Sequence, residues 1–168
     1  MKKALFLDRD GTINEEMNYV YKIDDFIFRE GIFDLVKRYY DSGYAIFVVT
    51  NQSEIARGFY TEADFEKVTQ WMSLEFLKKG IEIKRVYHCP HHPEITGECL
   101  CRKPNPGMIM QALDEYGINP AQSVLIGDKY SDVIAGQKAG IGTIIRINET
   151  GRIDIDNGTV YKSGNTTN

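Results

Sequence analysis

The 168-residue chain is 42% hydrophobic and 26% charged, with a formal net charge of −4. That size and balance suit one globular domain with a real core, and the mild acidity offers nothing to nucleic acid or to an anionic membrane surface. Met1-Lys2-Lys3 leads into only a few apolar residues, which is not a secretory signal, and no apolar run is long enough to span a bilayer. The expected compartment is the cytoplasm.

The first element is Ala4–Leu7, an apolar run that reads as a short buried strand. It leads into Asp8-Arg9-Asp10-Gly11-Thr12. Two carboxylates two residues apart therefore stand where a parallel strand ends, and Gly11 lets the chain turn sharply behind them. Ligands of open α/β sheets bind at such ends. One carboxylate can attack phosphorus, the other can move a proton, and both can face a divalent cation. A solvated Asp at a strand end is the plain alternative.

A helix follows over Ile32–Asp41, with Ile32, Leu35, Val36 and Tyr39 on one face and Gly43 as its stop. The second strand, Ala45–Thr50, ends in Thr50-Asn51-Gln52-Ser53. Its hydroxyls and amides can donate to phosphate oxygens, or simply cap a turn. Thr61 and Asp64 form a capping-box start to a second helix, where Phe65, Val68, Met72 and Phe76 recur at helical spacing before Gly80. Arg85–Cys89 is the third strand.

The three cysteines all fall in the next segment, as Cys89-Pro90-His91 and Cys99-Leu100-Cys101. An odd count in an intracellular chain argues against a disulfide framework. Three sulfurs and an imidazole fit a tetrahedral zinc site with no open position, so a structural one. Buried free cysteines are the alternative, but cysteines interleaved with Pro and His in a polar loop rarely belong to a core. His92 could compete, and the Cys-x-His spacing selects His91. The loop 89–101 runs into Arg102-Lys103-Pro104, so zinc would fix two cations able to hold phosphate oxygens.

Pro106 opens a third helix carrying Met108, Ile109, Ala112 and Leu113. Ser123–Gly127 is the fourth strand. After it come Asp128 and Asp132, the latter in the first turn of a helix that opens near Ser131. Asp128 could hold Mg²⁺, a hard cation that takes oxygen ligands, or merely favour the helix dipole. Gly142–Ile147 is the fifth strand. The chain then turns polar, with a tight turn possible at Asn157-Gly158, a tail over about 157–168, and fraying expected over 162–168. Strands alternating with helices imply an α/β fold: a mostly parallel sheet covered on both faces, in a single domain of residues 1–168.

The ordered motifs Asp8-x-Asp10-Gly11-Thr12, Thr50-Asn51, Lys103 and Gly127-Asp128-x-x-x-Asp132 resemble the haloacid-dehalogenase-like phosphohydrolases over nearly the whole chain. The resemblance implies a Rossmann-like three-layer fold, Mg²⁺ dependence and an aspartyl-phosphate intermediate. It casts Asp8 as nucleophile and Asp10 as acid and then base. Mg²⁺ would be held by Asp8, Asp128 and the backbone carbonyl of Asp10. Thr50, Asn51 and Lys103 would bind the phosphoryl oxygens, and Asp132 would orient Lys103 or a metal-bound water.

Within that family, Cys-x-His…Cys-x-Cys-Arg-Lys-Pro resembles two groups that carry a small zinc loop in place of a large cap domain: the heptose-bisphosphate and the histidinol-phosphate phosphatases. Asp8–Asn14, Thr50–Ser53, Ile55–Gly58, Cys89–Pro93 and Arg102–Met108 favour the heptose group. That resemblance implies removal of the 7-phosphate of a heptose 1,7-bisphosphate, on the way to nucleotide-activated heptose for lipopolysaccharide, capsule or S-layer glycan. It extends the substrate contacts to Glu16, Met17, Asn18, Tyr19, Gln52 and Ser53, with Arg102 and Lys129 on the rest of the sugar phosphate. Glu54 stands where Gly is expected in this group, and the seven residues between His91 and Cys99 make a short loop.

The expected partner is thus a small sugar bisphosphate. No exposed apolar helix or strand stands out, so a monomer is expected. A phosphoacceptor signalling domain would also use Asp, Thr, Lys and Mg²⁺, but it lacks an acid/base two residues past the acceptor. A zinc-stabilised binding module without activity is the remaining alternative.

Overall fold

A computed structural model describes residues 2–163. One six-stranded sheet runs through it in the order β3-β2-β1-β4-β5-β6. The strands are β1 (Ala4–Leu7), β2 (Ala45–Asn51), β3 (Ile83–Cys89), β4 (Val124–Gly127), β5 (Thr143–Arg146) and β6 (Thr159–Lys162). All neighbours pair in parallel except β5 and β6. The helices are α1 (Ile32–Asp41), α2 (Glu62–Lys78), α3 (Gly107–Tyr116) and α4 (Tyr130–Lys138). None is long and apolar enough to cross a membrane.

Alternation along the buried strands divides the interior into two cores. Leu5, Leu7, Ile46 and Val48 face one way and pack with Ile32, Leu35 and Val36 of α1 and Val68, Met72 and Phe76 of α2. Ala4, Phe6, Phe47 and Val49 face the other way, against Met108, Ile109 and Ala112 of α3 and Val133 and Ala135 of α4. The chain winds outward from β1 to β3 under one helical layer. It then crosses to β4 and winds the other way under the second. The reversal lies between β1 and β4, where a crevice opens beyond the strand ends. The expected three-layer α/β fold is borne out, and the links from β1 to α1 and from β2 to α2 carry no inserted domain.

The expected strands and helices are present with ends shifted by at most two residues at β3 and one elsewhere; the Thr61–Asp64 capping box forms at 3.1 and 2.9 Å. Five strands are expected from the sequence, and β6 is a sixth. It pairs antiparallel with β5 from Arg146↔Thr159 to Thr143↔Lys162. Only Tyr161 of its four residues is even half-buried, so no alternation of apolar residues announces it, as befits a short polar edge strand. Lys162 is accordingly not frayed: its Nζ donates to Thr143 Oγ1 at 3.0 Å. The rest of the expected tail, 164–168, lies outside the described residues.

Candidate active site

β1 delivers Asp8 to the crevice with its backbone N–H still donating to Ile126 O of β4 (3.3 Å). The chain then doubles back, with the amides of Thr12, Ile13 and Asn14 all donating to Arg9 O. Gly11 sits at φ +93°, and a Cβ there would fall 2.2 Å from Asp128 Oδ2. Both the turn and the approach of Asp128 therefore require glycine. Arg29, fully buried, donates to Gly11 O (2.8 Å), Asn148 O (2.7 Å) and Gly151 O (3.0 Å), clamping this turn to the loop after β5.

Asp8 at the end of β1, Asp128 just beyond β4 and Asp132 in the first turn of α4 bring carboxylate oxygens within 4.8 Å of one another, all buried. Lys103 Nζ reaches into the group and donates to Asp132 Oδ1 (2.6 Å), Asp8 Oδ1 (2.9 Å) and Val49 O (2.8 Å). Burial works against the lysine's charge, but Asp132 and Asp8 outweigh it and hold its pKa above the ordinary value. One lysine cannot neutralise three carboxylates. Burial, then the Asp8 charge, push the Asp128 carboxyl up to about 8, and Asp132 also rises. Such a donor set fits a hard divalent cation. Asp128 turns toward Asp8 and the Gly11 turn, whereas Asp132 is committed to Lys103 and to the Lys129 amide (3.2 Å).

Asp10 points to a different set of partners. Its Oδ1 accepts from Arg9 Nε (3.1 Å), Arg9 Nη2 (2.9 Å) and Asn14 Nδ2 (3.0 Å). Its Oδ2 accepts from Arg9 Nη2 (3.1 Å) and Gln52 Nε2 (3.0 Å). Arg9 is itself 1% exposed and donates onward to Val20 O (2.7 Å).

The crevice has a volume of about 520 Å³, and its lining includes Asp8, Asp10, Thr50, Arg102, Lys103 and Lys129. A larger groove of about 810 Å³ between α2 and β3 contains none of these groups. Met17, Asn18, Tyr19 and Ser53 also line the crevice. Glu16 spans its mouth to pair with Lys129 at 3.1 Å. Tyr19, held at φ +60°, stacks on Phe59 at 4.5 Å and so joins the two loops that form the rim. Arg102 carries a buried Nη1 without a protein partner. Glu54 also lines the crevice and pairs with Arg57 at 3.5 Å.

Two residues expected on phosphate have other work here. Asn51 brackets the Lys103 backbone, donating to its O (3.1 Å) and accepting from its N–H (3.0 Å). Gln52 gives its amide hydrogens to Asp10 and to Thr50 Oγ1 (3.0 Å), and its Oε1 accepts from the Tyr60 hydroxyl. The sequence assigns no role to Arg9, Asn14, Phe59 or Tyr60. Their roles arise from contacts with other segments, and a lone Arg or Tyr carries no spacing signal.

Cys89, His91, Cys99 and Cys101 converge at the end of β3. Cys89 Sγ and Cys101 Sγ each stand 3.5 Å from Cys99 Sγ, and His91 Nδ1 stands 3.4 and 3.2 Å from Cys89 and Cys101. Ligands about 2.3 Å (sulfur) and 2.0 Å (nitrogen) from a tetrahedral zinc lie roughly 3.5–3.8 Å apart. The donor set therefore fits zinc with slight expansion. The Cys99 thiol is lowered to about 7 despite burial, chiefly by the Arg102 amide that donates to its sulfur at 3.4 Å. The cluster thus touches the segment carrying Arg102 and Lys103.

The chain is similar to known hydrolases. A family model described as HAD-hydrolase-like matches residues 100–150. The D-glycero-alpha-D-manno-heptose-1,7-bisphosphate 7-phosphatase of Campylobacter jejuni is 51% identical over 88% of this chain and 83% of its own length. The corresponding beta-heptose enzyme of Haemophilus ducreyi is 46% identical over 87% and 83%. Among solved structures, D,D-heptose 1,7-bisphosphate phosphatase from B. bronchiseptica, complexed with magnesium and phosphate, aligns with a TM-score of 0.77 and 30% identity over 83% of this chain and 78% of that one. The chain belongs to the HAD-like hydrolases and is a phosphoric monoester hydrolase. These three relatives are named heptose-bisphosphate phosphatases, the two curated ones for different anomers.

Proposed function

We propose that the enzyme removes the 7-phosphate of D-glycero-D-manno-heptose 1,7-bisphosphate through a phosphorylated Asp8. The observation that carries this reading is the placement of Lys103 between Asp8 and Asp132, with Asp10 on the adjoining turn. An Asp8 oxygen attacks phosphorus, and the bond from phosphorus to the sugar oxygen breaks. Asp10 gives its proton to that oxygen. Water then attacks the same phosphorus, losing a proton to Asp10, and the bond to Asp8 breaks to release phosphate and the free carboxylate. Lys103 and Thr50 bind the equatorial oxygens, whose shared negative charge the lysine offsets. Asn51 holds Lys103 in register by gripping its backbone.

Mg²⁺, held by Asp8, Asp128 and the backbone carbonyl of Asp10, would supply the positive charge that lets a carboxylate meet a phosphate. Zinc at Cys89, His91, Cys99 and Cys101 would be structural, fixing the loop that presents Arg102. Arg102 and Lys129, with the rim from Glu16 to Tyr19, would take the sugar and its second phosphate. The reading brings with it a cytoplasmic monomer acting on a small molecule in nucleotide-activated heptose synthesis.

Side-by-side turnover of heptose 1,7-bisphosphate and histidinol phosphate tests the substrate. Preference for the heptose is expected, and preference for histidinol phosphate would overturn it.

A further inference from the structure

Tyr60 lies outside every motif of the site, eight residues past Gln52 at the end of the crevice loop. It is nevertheless 6% exposed, and its hydroxyl faces Gln52 Oε1. The direction of that contact follows from the far end of the amide. A carboxylate only accepts, so the group of Gln52 nearest Asp10 Oδ2 must be the NH₂. Oε1 is then turned to Tyr60, which must donate. Burial raises the phenol's pKa and keeps it protonated.

Arg9 and Asn14 give three hydrogen bonds to Asp10 Oδ1 and only one, from Arg9 Nη2, to Oδ2. Oδ2 is thus the oxygen with capacity left for a reacting proton, and Gln52 fixes its direction. With both hydrogens of its NH₂ on Asp10 and Thr50, Gln52 has no donor to spare for substrate.

We propose that Tyr60 is a positioning residue. Through Gln52 it aims Asp10 Oδ2 at the oxygen that leaves phosphorus and, in the second step, at the attacking water. The inference rests on the role given to Asp10 above.

A misdirected acid harms an ester in proportion to how much its leaving group needs a proton. A sugar alkoxide needs one, whereas p-nitrophenolate does not. The test compares kcat/KM on heptose 1,7-bisphosphate and on p-nitrophenyl phosphate for the parent enzyme, Asp10→Asn, Tyr60→Phe, Gln52→Leu and the Tyr60→Phe/Gln52→Leu double variant. Tyr60→Phe keeps the ring that stacks on Tyr21 at 5.3 Å. It should lose about tenfold on the sugar phosphate and less than about threefold on the aryl ester. Gln52→Leu should lose more with the same selectivity, and it carries the test if Tyr60→Phe does not fold. The double variant should be no worse than Gln52→Leu, since the hydroxyl acts only through the amide.

Equal losses on both esters, or none on the sugar phosphate, would overturn the inference. Asp10→Asn separates the two ideas. Selectivity in Asp10→Asn without selectivity in Tyr60→Phe and Gln52→Leu overturns the positioning role alone. Its absence from Asp10→Asn overturns the acid role and the inference with it.

Discussion

Lys103 Nζ lies 2.6 Å from Asp132 Oδ1, with both side chains almost wholly buried. The same ammonium stands 2.9 Å from Asp8, so Asp132 anchors the lysine that faces the nucleophile. Lys103→Met should reduce kcat by about 10²–10³, the scale of a lost oxyanion donor. It should also destabilise the fold by about 3–5 kcal/mol, because Asp132 is left buried without its partner. Asp132→Asn keeps an acceptor but not the charge. Its loss of kcat should be smaller, with the lysine drawn toward Asp8. Steady-state kinetics and chemical denaturation of the two variants check the order.

Removing Mg²⁺ should make the enzyme less stable as pH rises. The Asp128 carboxyl is pushed up to about 8, from 3.8 in a free chain. Between those values the native state keeps a proton that the unfolded chain has released, so stability falls as pH rises from about 4 to about 8. The raised pKa of Asp132 acts in the same direction. With zinc retained and Mg²⁺ left out, melting temperatures should therefore fall across pH 5, 6, 7 and 8, and added Mg²⁺ should restore most at pH 8. A flat profile without Mg²⁺ would contradict the carboxylate cluster.

Cys101→Ser should lower zinc content and melting temperature before it affects chemistry. Cys101 Sγ lies 3.2 Å from His91 Nδ1 and 3.5 Å from Cys99 Sγ, so its loss opens the ligand set. Elemental analysis should find about one zinc per chain in the parent and a clear deficit in the variant. At low temperature with Mg²⁺, kcat should stay within about tenfold of the parent. Equal zinc in both proteins would show that these residues do not hold it.

The Tyr19–Phe59 stack ties the two rim loops together at half-exposed positions. Phe59→Ala should leave Tyr19 less constrained at its positive φ and loosen the rim. KM for the bisphosphate should rise about threefold to tenfold with kcat little changed, since the stack touches no reacting group. A fall in kcat at constant KM would contradict a binding role for the rim.

The sheet was legible because its central strands are buried on both faces and read as unbroken apolar runs: Leu5, Leu7, Ile46 and Val48 could hardly be anything else. β6 was not, since three of its four residues are exposed. In the site, Asp8 and Asp128 were visible as carboxylates at strand ends, Asp132 as one in a helix's first turn, and Lys103 as a cation following the cysteine loop. What spacing could not show is where a side chain spends its hydrogen bonds. Asn51 and Gln52 look like phosphate donors in sequence, yet in the fold they hold Lys103 and Asp10. Arg9 was hidden for the opposite reason: an arginine beside two aspartates reads as solvated, and only the structure buries it beneath Asp10.

Transfer of the 7-phosphate to Asp8 can be followed by phosphorus NMR of heptose 1,7-bisphosphate with enzyme and Mg²⁺. The 7-phosphate signal should give way to inorganic phosphate while the anomeric phosphate persists, and Asp8→Asn should leave both untouched. Loss of the anomeric phosphate first, or turnover by Asp8→Asn, would contradict that transfer.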